Sequence, residues 1–303
     1  MRPWAPICFL LVACAAAGDD RAPVEHRDDV LVLGHVNVNP RALIRKLKPI
    51  VDYAANQLGD VGISRGHVAM FRTHQEMIEQ LRQGKVDWVT ETAFGATLFI
   101  DEASAEPFLL RHKRGAGEYH SVVFTRDDSG IMSMDDLADR NIVFEDAGST
   151  SAYLVPKAAI VERGYELVEL ARHLDPVPAG AVGFFFSGAE ENTSTWVFRG
   201  LADVGAVSDQ DWLNPEKVPQ QQVDQFRILL RTDSYPRNLE LLRKDLDVRI
   251  KQRLEEVLRA SIQDPEAAAA LNSYMETTGF SAIEPGHFEA LDRVRAFRSV
   301  TGD

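Results

Sequence analysis

Asn141-Ile142-Val143-Phe144-Glu145-Asp146-Ala147-Gly148-Ser149-Thr150-Ser151-Ala152-Tyr153-Leu154-Val155-Pro156-Lys157-Ala158-Ala159-Ile160 reads as a strand, a turn and a helix in immediate succession. At the junction stand three hydroxyl residues in a row, Ser149, Thr150 and Ser151. They bring O–H donors to the place where the first backbone N–H groups of a helix lack an intrahelical acceptor, at the positive end of its dipole. Such a turn is a ready oxyanion site, able to hold a tetrahedral anion without lysine or arginine. The plainer alternative is that Ser149 or Thr150 caps the helix and the others are solvated.

Outward from this turn, strands and helices alternate almost without interruption, which argues an α/β protein. Residues 30–34 form a buried strand, and Asn39-Pro40 supplies a cap and a first-turn proline for the next helix. That helix carries Leu43, Ile44, Leu47, Val51, Ala54 and Leu58 at helical spacing, and Pro49 inside it predicts a kink or restart. Thr73 and Glu76 form a capping box for a second helix with Met77, Ile78 and Leu81, stopped by Gly84, and residues 85–89 read as a strand. The passage helix, Gly-x-x-Asp, strand returns at residues 196–207, so two lobes of like construction are expected. The β-rich residues 119–125 and 225–232 stand where the chain could cross between lobes and back. The last third reads as helices over residues 248–262, 267–275 and 287–297, expected to pack on the first lobe.

The chain of 303 residues is 45% hydrophobic and 26% charged, which excludes wholesale disorder and collagen-like architecture. Its 33 Lys and Arg against 46 Asp and Glu give a net charge of −13. A uniformly acidic chain repels phosphate backbones and anionic lipid surfaces, so no nucleic-acid partner is expected. Both cysteines, Cys8 and Cys14, lie in the first fourteen residues, which leaves the body without disulfides or thiolate metal sites. Eight histidines are scattered without H-E-x-x-H or paired metal spacing. There is no G-x-S-x-G elbow, Walker loop or G-x-G-x-x-G in a strand-to-helix setting. No metal, cofactor or catalytic residue is expected.

Residues 7–17 are an apolar run of eleven behind a single early charge, Arg2. Eleven helical residues span about 16 Å, roughly half a hydrocarbon core, so the run is a signal segment and not a membrane span. Leu11-Val12-Ala13-Cys14 resembles the bacterial lipobox. That likeness implies a signal peptide at residues 1–13, lipidation of Cys14 with several acyl chains, and a tether over residues 14–29. An ordinary cleaved signal peptide that contains cysteine is the alternative.

Residues 128–140, D-S-G-I-M-S-M-D-D-L-A-D-R, followed by Val143-Phe144-Glu145-Asp146-Ala147-Gly148-Ser149-Thr150-Ser151, resemble the phosphate/phosphite/phosphonate-binding proteins of ABC importers. Their pattern is roughly D-S-G-I-x-S-L-x-D-L-K-G-K, a strand, then S-T-S-G-Y-x-x-P. Ala152 stands where glycine is usual, and Ala138-Asp139-Arg140 where Leu-Lys-Gly-Lys commonly runs. Thr73-His74 replaces Asp-Tyr, so His74 takes the place of a tyrosine that commonly stacks over ligand. Thr90-Glu91-Thr92-Ala93-Phe94 replaces an aromatic-Gly-Pro passage, and Ser187-Gly188-Ala189-Glu190-Glu191-Asn192 a Gly-x-His-Asp segment.

The resemblance implies a two-lobed periplasmic-binding fold of the type II, clamshell kind, with two crossover strands as hinge. Residues 30–117 and 226–303 would form lobe 1 and residues 118–225 lobe 2. Ser149, Thr150 and Ser151 would grip the oxygens of a phosphorus oxyanion, with Thr73, His74, Glu91, Thr92, Tyr119, Glu190 and Glu191 around the ligand. Glu190 and Glu191 could equally favour a helix dipole; the functional alternative is a carboxylate that receives a ligand ammonium, as in an aminoalkylphosphonate. At least one of Glu91, Glu190 and Glu191 is expected to face the cleft. The expected protein is an exported, lipid-anchored, monomeric binding protein that hands phosphate, phosphite or a phosphonate to an ABC permease. Engagement of a sensor kinase is one alternative, and a two-lobed α/β enzyme of the prephenate-dehydratase type is another.

Overall fold

A computed structural model of the chain describes residues 28–37 and 40–303. The signal segment, Cys14, most of the tether and the cap at Asn39 lie outside the described residues. Twelve strands follow in chain order: β1 (Val30–Val36), β2 (Arg65–Phe71), β3 (Trp88–Glu91), β4 (Glu106–Lys113), β5 (Glu118–Arg126), β6 (Arg140–Phe144), β7 (Leu167–Glu169), β8 (Val182–Phe186), β9 (Val204–Ser208), β10 (Phe226–Pro236), β11 (Asn238–Leu242) and β12 (Thr277–Ser281). They build two six-stranded sheets, one ordered β12-β4-β11-β3-β1-β2 and the other β10-β5-β9-β6-β8-β7. This is an α/β fold of the two-lobed kind.

The helices are α1 (Pro40–Asn56), α2 (His74–Arg82), α3 (Ala93–Ala103), α4 (Val155–Val161), α5 (Glu190–Phe198), α6 (Asp209–Trp212), α7 (Gln220–Val223), α8 (Val248–Ser261), α9 (Ala268–Ser273) and α10 (Pro285–Thr301). A single π turn, Thr150–Leu154, leads into α4. Strand β1 pairs in parallel with both β2 and β3, and β6 with both β8 and β9. Each of these two strands therefore has parallel neighbours on both sides, and helix starts gather at the carboxyl ends around it, where open α/β sheets form crevices. Alternate residues of β1 serve two faces: Leu31 and Leu33 pack with Leu47, Ile50, Val51 and Ala54 of α1, while Val32 packs with Met77, Ile78 and Leu81 of α2.

The repeated Gly-x-x-Asp passage has one physical job in both lobes. The Asp87 carboxylate accepts the Val32 amide of β1 at 2.9 Å, and the Asp203 carboxylate accepts the Asn141 amide of β6 at 3.0 Å. Each aspartate thus fastens the start of one parallel strand to its neighbour, and Asp87 also pairs with Arg243 at 2.8 Å. Because this lock precedes the ladder, the strand expected at residues 85–89 runs instead over Trp88–Glu91.

Three further details depart from the sequence reading. Helix α1 passes through Pro49 as one element with no restart, since Leu47, Ile50, Val51 and Ala54 are fully buried and hold both halves on one core. Strand β10 pairs antiparallel with β5 over eleven residues, so Phe226–Pro236 belongs to the second sheet and the return to the first sheet comes at Arg237. Helix α10 does not rest on the first lobe alone. It reaches α3 through Arg295 and Arg298 to Asp101, at 2.8 and 2.9 Å, and the second sheet's side through Arg293 to the Ser234 carbonyl and Asp303 to Tyr153 and Lys157.

The first sheet carries a buried ionic knot. Arg111 of β4 and Glu240 of β11 lie 3.0 Å apart, both with no side-chain exposure. The Glu240 carboxylate also accepts from Trp88 Nε1, Thr90 Oγ1 and Tyr274 Oη at 2.5 to 3.1 Å, and the Arg111 guanidinium lies 4.7 Å over the Tyr274 ring. Removing one partner of such a pair strands the other charge in the core, at a cost of about 3–5 kcal/mol. Glu240→Ala is expected to lose that much in urea unfolding, and a loss under about 1 kcal/mol would show that the knot is dispensable.

Candidate functional site

Helices α2 and α3 begin where β2 and β3 end, the π turn before α4 begins after β6, and α5 begins after β8. Two of these starts touch across the lobes: the Phe94 amide donates to Thr150 Oγ1 at 2.8 Å. Phe94 is the second residue of α3, whose N–H has no acceptor in its own helix. The fully buried Thr150 hydroxyl supplies one from the other lobe. Ser149 does cap its helix, since its Oγ accepts the Ala152 amide at 3.1 Å. A hydroxyl that accepts still has a proton to donate, so capping leaves Ser149 able to bind an anion. The buried Ser151 is held through its carbonyl, which accepts from Ser121 Oγ at 2.5 Å.

His74, the first residue of α2, packs its ring against Phe94 and Phe99 at 5.9 and 5.6 Å. Its Nε2 lies 3.6 Å from Glu91 Oε2, an ion pair too long for a hydrogen bond, and Glu91 Oε1 accepts the Thr92 amide at 2.7 Å. Two glycines allow this closeness. A Cβ on Gly95 would stand 2.3 Å from Glu91 Cγ and 2.8 Å from His74 Nε2, and one on Gly148, in the other lobe, 3.2 Å from His74 Cε1. Burial works to lower the His74 pKa, but Glu91 beside it outweighs that and holds it above the ordinary imidazole value. Burial likewise works to raise Glu91, and His74 prevails and keeps it below the usual carboxylate range.

The remaining expected residues divide. Tyr119 is buried, with its hydroxyl lacking a hydrogen-bond partner, and Thr92 Oγ1 is buried and unpartnered at the start of α3. Thr73 lies exposed, its Oγ1 taken by the Glu76 amide at 3.1 Å, while the Glu76 carboxylate accepts from Arg72 rather than from Thr73 itself. Lys217 pairs with both Glu190, at 3.1 Å, and the exposed Glu191, at 2.8 Å. Glu190 also stands next to Glu145, whose carboxyl is held well above the usual range by burial and by Glu190. Of the three acids considered for the cleft, Glu91 is set against the opposite lobe through His74 and Gly148, and Glu190 lies within electrostatic reach of Lys113 in the first sheet.

Sequence reading missed Arg237, which is 8% exposed and lies where the chain returns between sheets. Its guanidinium sits 5.1 Å over the Tyr119 ring, and Nε and Nη1 are buried with no hydrogen-bond partner. The β10–β5 pairing places it there, matching Tyr235 to Tyr119, and no local motif marks a lone arginine after Pro236. Among the described residues, no group of three or more His, Cys, Asp or Glu could hold a metal ion, and no helix is long and apolar enough to cross a membrane.

Residues 35–288 match the family described as "ABC transporter, phosphonate, periplasmic substrate-binding protein". The chain belongs to this family. Membership implies a transport binding protein and not the two-lobed enzyme kept as an alternative. A phosphate-import protein PhnD of Mycolicibacterium smegmatis is 24% identical over 213 residues, 68% of this chain and 64% of that protein, so the likeness spans under two thirds of that relative's length. XAC2383 from Xanthomonas citri, solved with ATP, is 34% identical at a TM-score of 0.84, covering 90% of this chain and 98% of that one. PhnD1 from Prochlorococcus marinus, solved with methylphosphonate, shares the fold at 16% identity and a TM-score of 0.67, covering 90% of this chain and 98% of that one.

A histidine with a raised folded pKa contributes stability that is complete below its unfolded value, about 6.5, and lost as pH rises through the folded value. The Tm of the wild-type protein should therefore fall relative to that of His74→Gln as pH climbs above about 6.5. Parallel Tm profiles for the two proteins would show that the His74–Glu91 pair carries no linked stability.

Proposed function

We propose that this protein is exported, anchored through a lipidated Cys14, and closes its two lobes over a small phosphorus oxyanion, phosphate, phosphite or a phosphonate, for delivery to the membrane subunits of an ABC importer. The observation that carries this reading is the Phe94–Thr150 hydrogen bond, which sets two helix starts and three hydroxyls around one point between the lobes. Helix starts offer free N–H groups and positive dipole ends, and serine and threonine add donors that need no net positive charge. Closure follows from differential affinity, since a ligand gripped by both lobes binds the closed form better than the open one.

The balance of unmet groups favours an anion over a ligand ammonium. Glu190 and Glu191 already hold Lys217, and Glu91 holds His74. The buried groups left without partners at this place are all able to donate: the hydroxyls of Thr92 and Tyr119 and the guanidinium of Arg237. Of the three similar proteins, one is a phosphate-import protein and the others were solved with ATP and with methylphosphonate, and phosphate, ATP and methylphosphonate each present a phosphorus oxyanion.

A thermal-shift screen against phosphate, phosphite, methylphosphonate, aminoethylphosphonate, sulfate and arsenate tests the reading. A ligand at 100 times its Kd stabilises the folded state by about 2.7 kcal/mol, a rise of several degrees. Phosphorus oxyanions should shift the midpoint, with methylphosphonate at least matching aminoethylphosphonate. Thr150→Ala should cost about 1–3 kcal/mol of binding. A folded protein that none of these anions shifts would overturn the reading.

The anchor is tested separately. In cells, the wild-type protein should partition with membranes and Cys14→Ser should not. Equal partitioning of the two would remove the lipid from the proposal and leave the ligand untouched.

A further inference from the structure

Arg237 is an electrostatic anomaly. It is 8% exposed, its Nε and Nη1 have no hydrogen-bond partner, and no carboxylate among the described residues pairs with it. The group is nonetheless held in place. Its amide donates to the Gly117 carbonyl at 2.8 Å, and its guanidinium carbon lies 5.1 Å from the centre of the Tyr119 ring. A buried cation that lacks a counter-charge is costly unless something supplies one. The nearest acids make other contacts: Glu190 pairs with Lys217, and Asp211 accepts from Ser208 Oγ, the same hydroxyl that caps its helix by accepting the Asp211 amide. A second cation, Lys113 at the end of β4, lies within electrostatic reach of Arg237; burial and that neighbour lower its pKa, while Asp211 and Glu190, which also act on it, work the other way.

The position ties this charge to the hydroxyl turn. Tyr119 carries Arg237 on its ring face, and its unpartnered hydroxyl stands near enough to Thr150 and Ser151 for both to favour its ionised form against the burial that raises it. Arginine presents a planar fork of donors that matches a carboxylate or phosphoryl group in bidentate fashion. A hydroxyl turn suited to one phosphoryl group and an unsatisfied guanidinium beside it make two adjoining anion positions.

We propose that Arg237, with Lys113 near it, forms a cationic subsite next to Ser149, Thr150 and Ser151, and that the preferred ligand is a phosphorus oxyanion bearing a second anionic group on a short linker, such as a diphosphonate or a phosphonocarboxylate. This rests on the oxyanion reading above and narrows it. The subsite lies at the crossing between sheets, so a ligand that fills it would also draw on the hinge.

Isothermal titration of the wild-type protein, Arg237→Gln and Arg237→Lys with methylphosphonate, methylenediphosphonate and phosphonoacetate tests it. The wild-type protein should bind the two doubly anionic ligands at least about tenfold more tightly than methylphosphonate, the ratio should fall to within about threefold in Arg237→Gln, and Arg237→Lys should keep part of it. Without ligand, Arg237→Gln should match or exceed the wild-type Tm, because it removes an unpaired buried charge. No preference in the wild-type protein, or a preference that survives Arg237→Gln, overturns the proposal while leaving the oxyanion reading standing. A lowered unliganded Tm with an intact ratio would make Arg237 a structural residue and also overturn it. If no phosphorus oxyanion binds the folded wild-type protein, the underlying reading falls and this one with it.

Discussion

The amide of Phe94 has no acceptor within its own helix, and it takes the hydroxyl of Thr150 from the opposite lobe. Every α-helix leaves such N–H groups at its start, and this fold turns four of those starts toward the carboxyl ends of the parallel strands in two mixed sheets. What is a cost of helix formation in an isolated element becomes the recognition surface of the assembled one. The two aspartate locks, Asp87 on Val32 and Asp203 on Asn141, set the register of the strands from which these helices spring. A shift in either register would move a helix start out of reach of its counterpart.

The electrostatics run against the chain as a whole. A net charge of −13 makes the surroundings unfavourable to anions, yet the unsatisfied buried groups at the lobe junction are a guanidinium and hydroxyls. Local donors decide capture because a dry, preorganised group acts with little screening, while surface acids are damped by water and salt. Several acids near the junction are paired or pushed toward neutrality: Glu91 lies beside His74, Glu190 pairs with Lys217, and burial and Glu190 raise the pKa of Glu145.

Helix α10 and strand β10 show how closure is built into the scaffold. Strand β10 runs the length of β5 in the second sheet, and the chain then enters β11 of the first sheet through Arg237. Helix α10 meets α3 on one side and Ser234, Tyr153 and Lys157 on the other. The closure proposed above would act through the short crossings and the polar contacts of α10, while the buried pair of Arg111 and Glu240 lies within the first sheet.

The sequence by itself determined the α/β class, the paired supersecondary units, the capped helix start at Thr73, and the hydroxyl turn, because each of these is a local pattern whose physics is complete within a few residues. It also placed His74, Glu91 and Tyr119 among the residues of interest through family resemblance. Tertiary structure decided the rest. Pro49 is carried through a helix because distant side chains bury both halves of it, and β10 joins the second sheet because its partner β5 lies a hundred residues away. Whether Glu190 is open to a ligand depends on Lys217, and whether Arg237 has a counter-charge depends on every element packed around Tyr119. Burial and charge pairing are sums over neighbours that adjacency in the chain does not record.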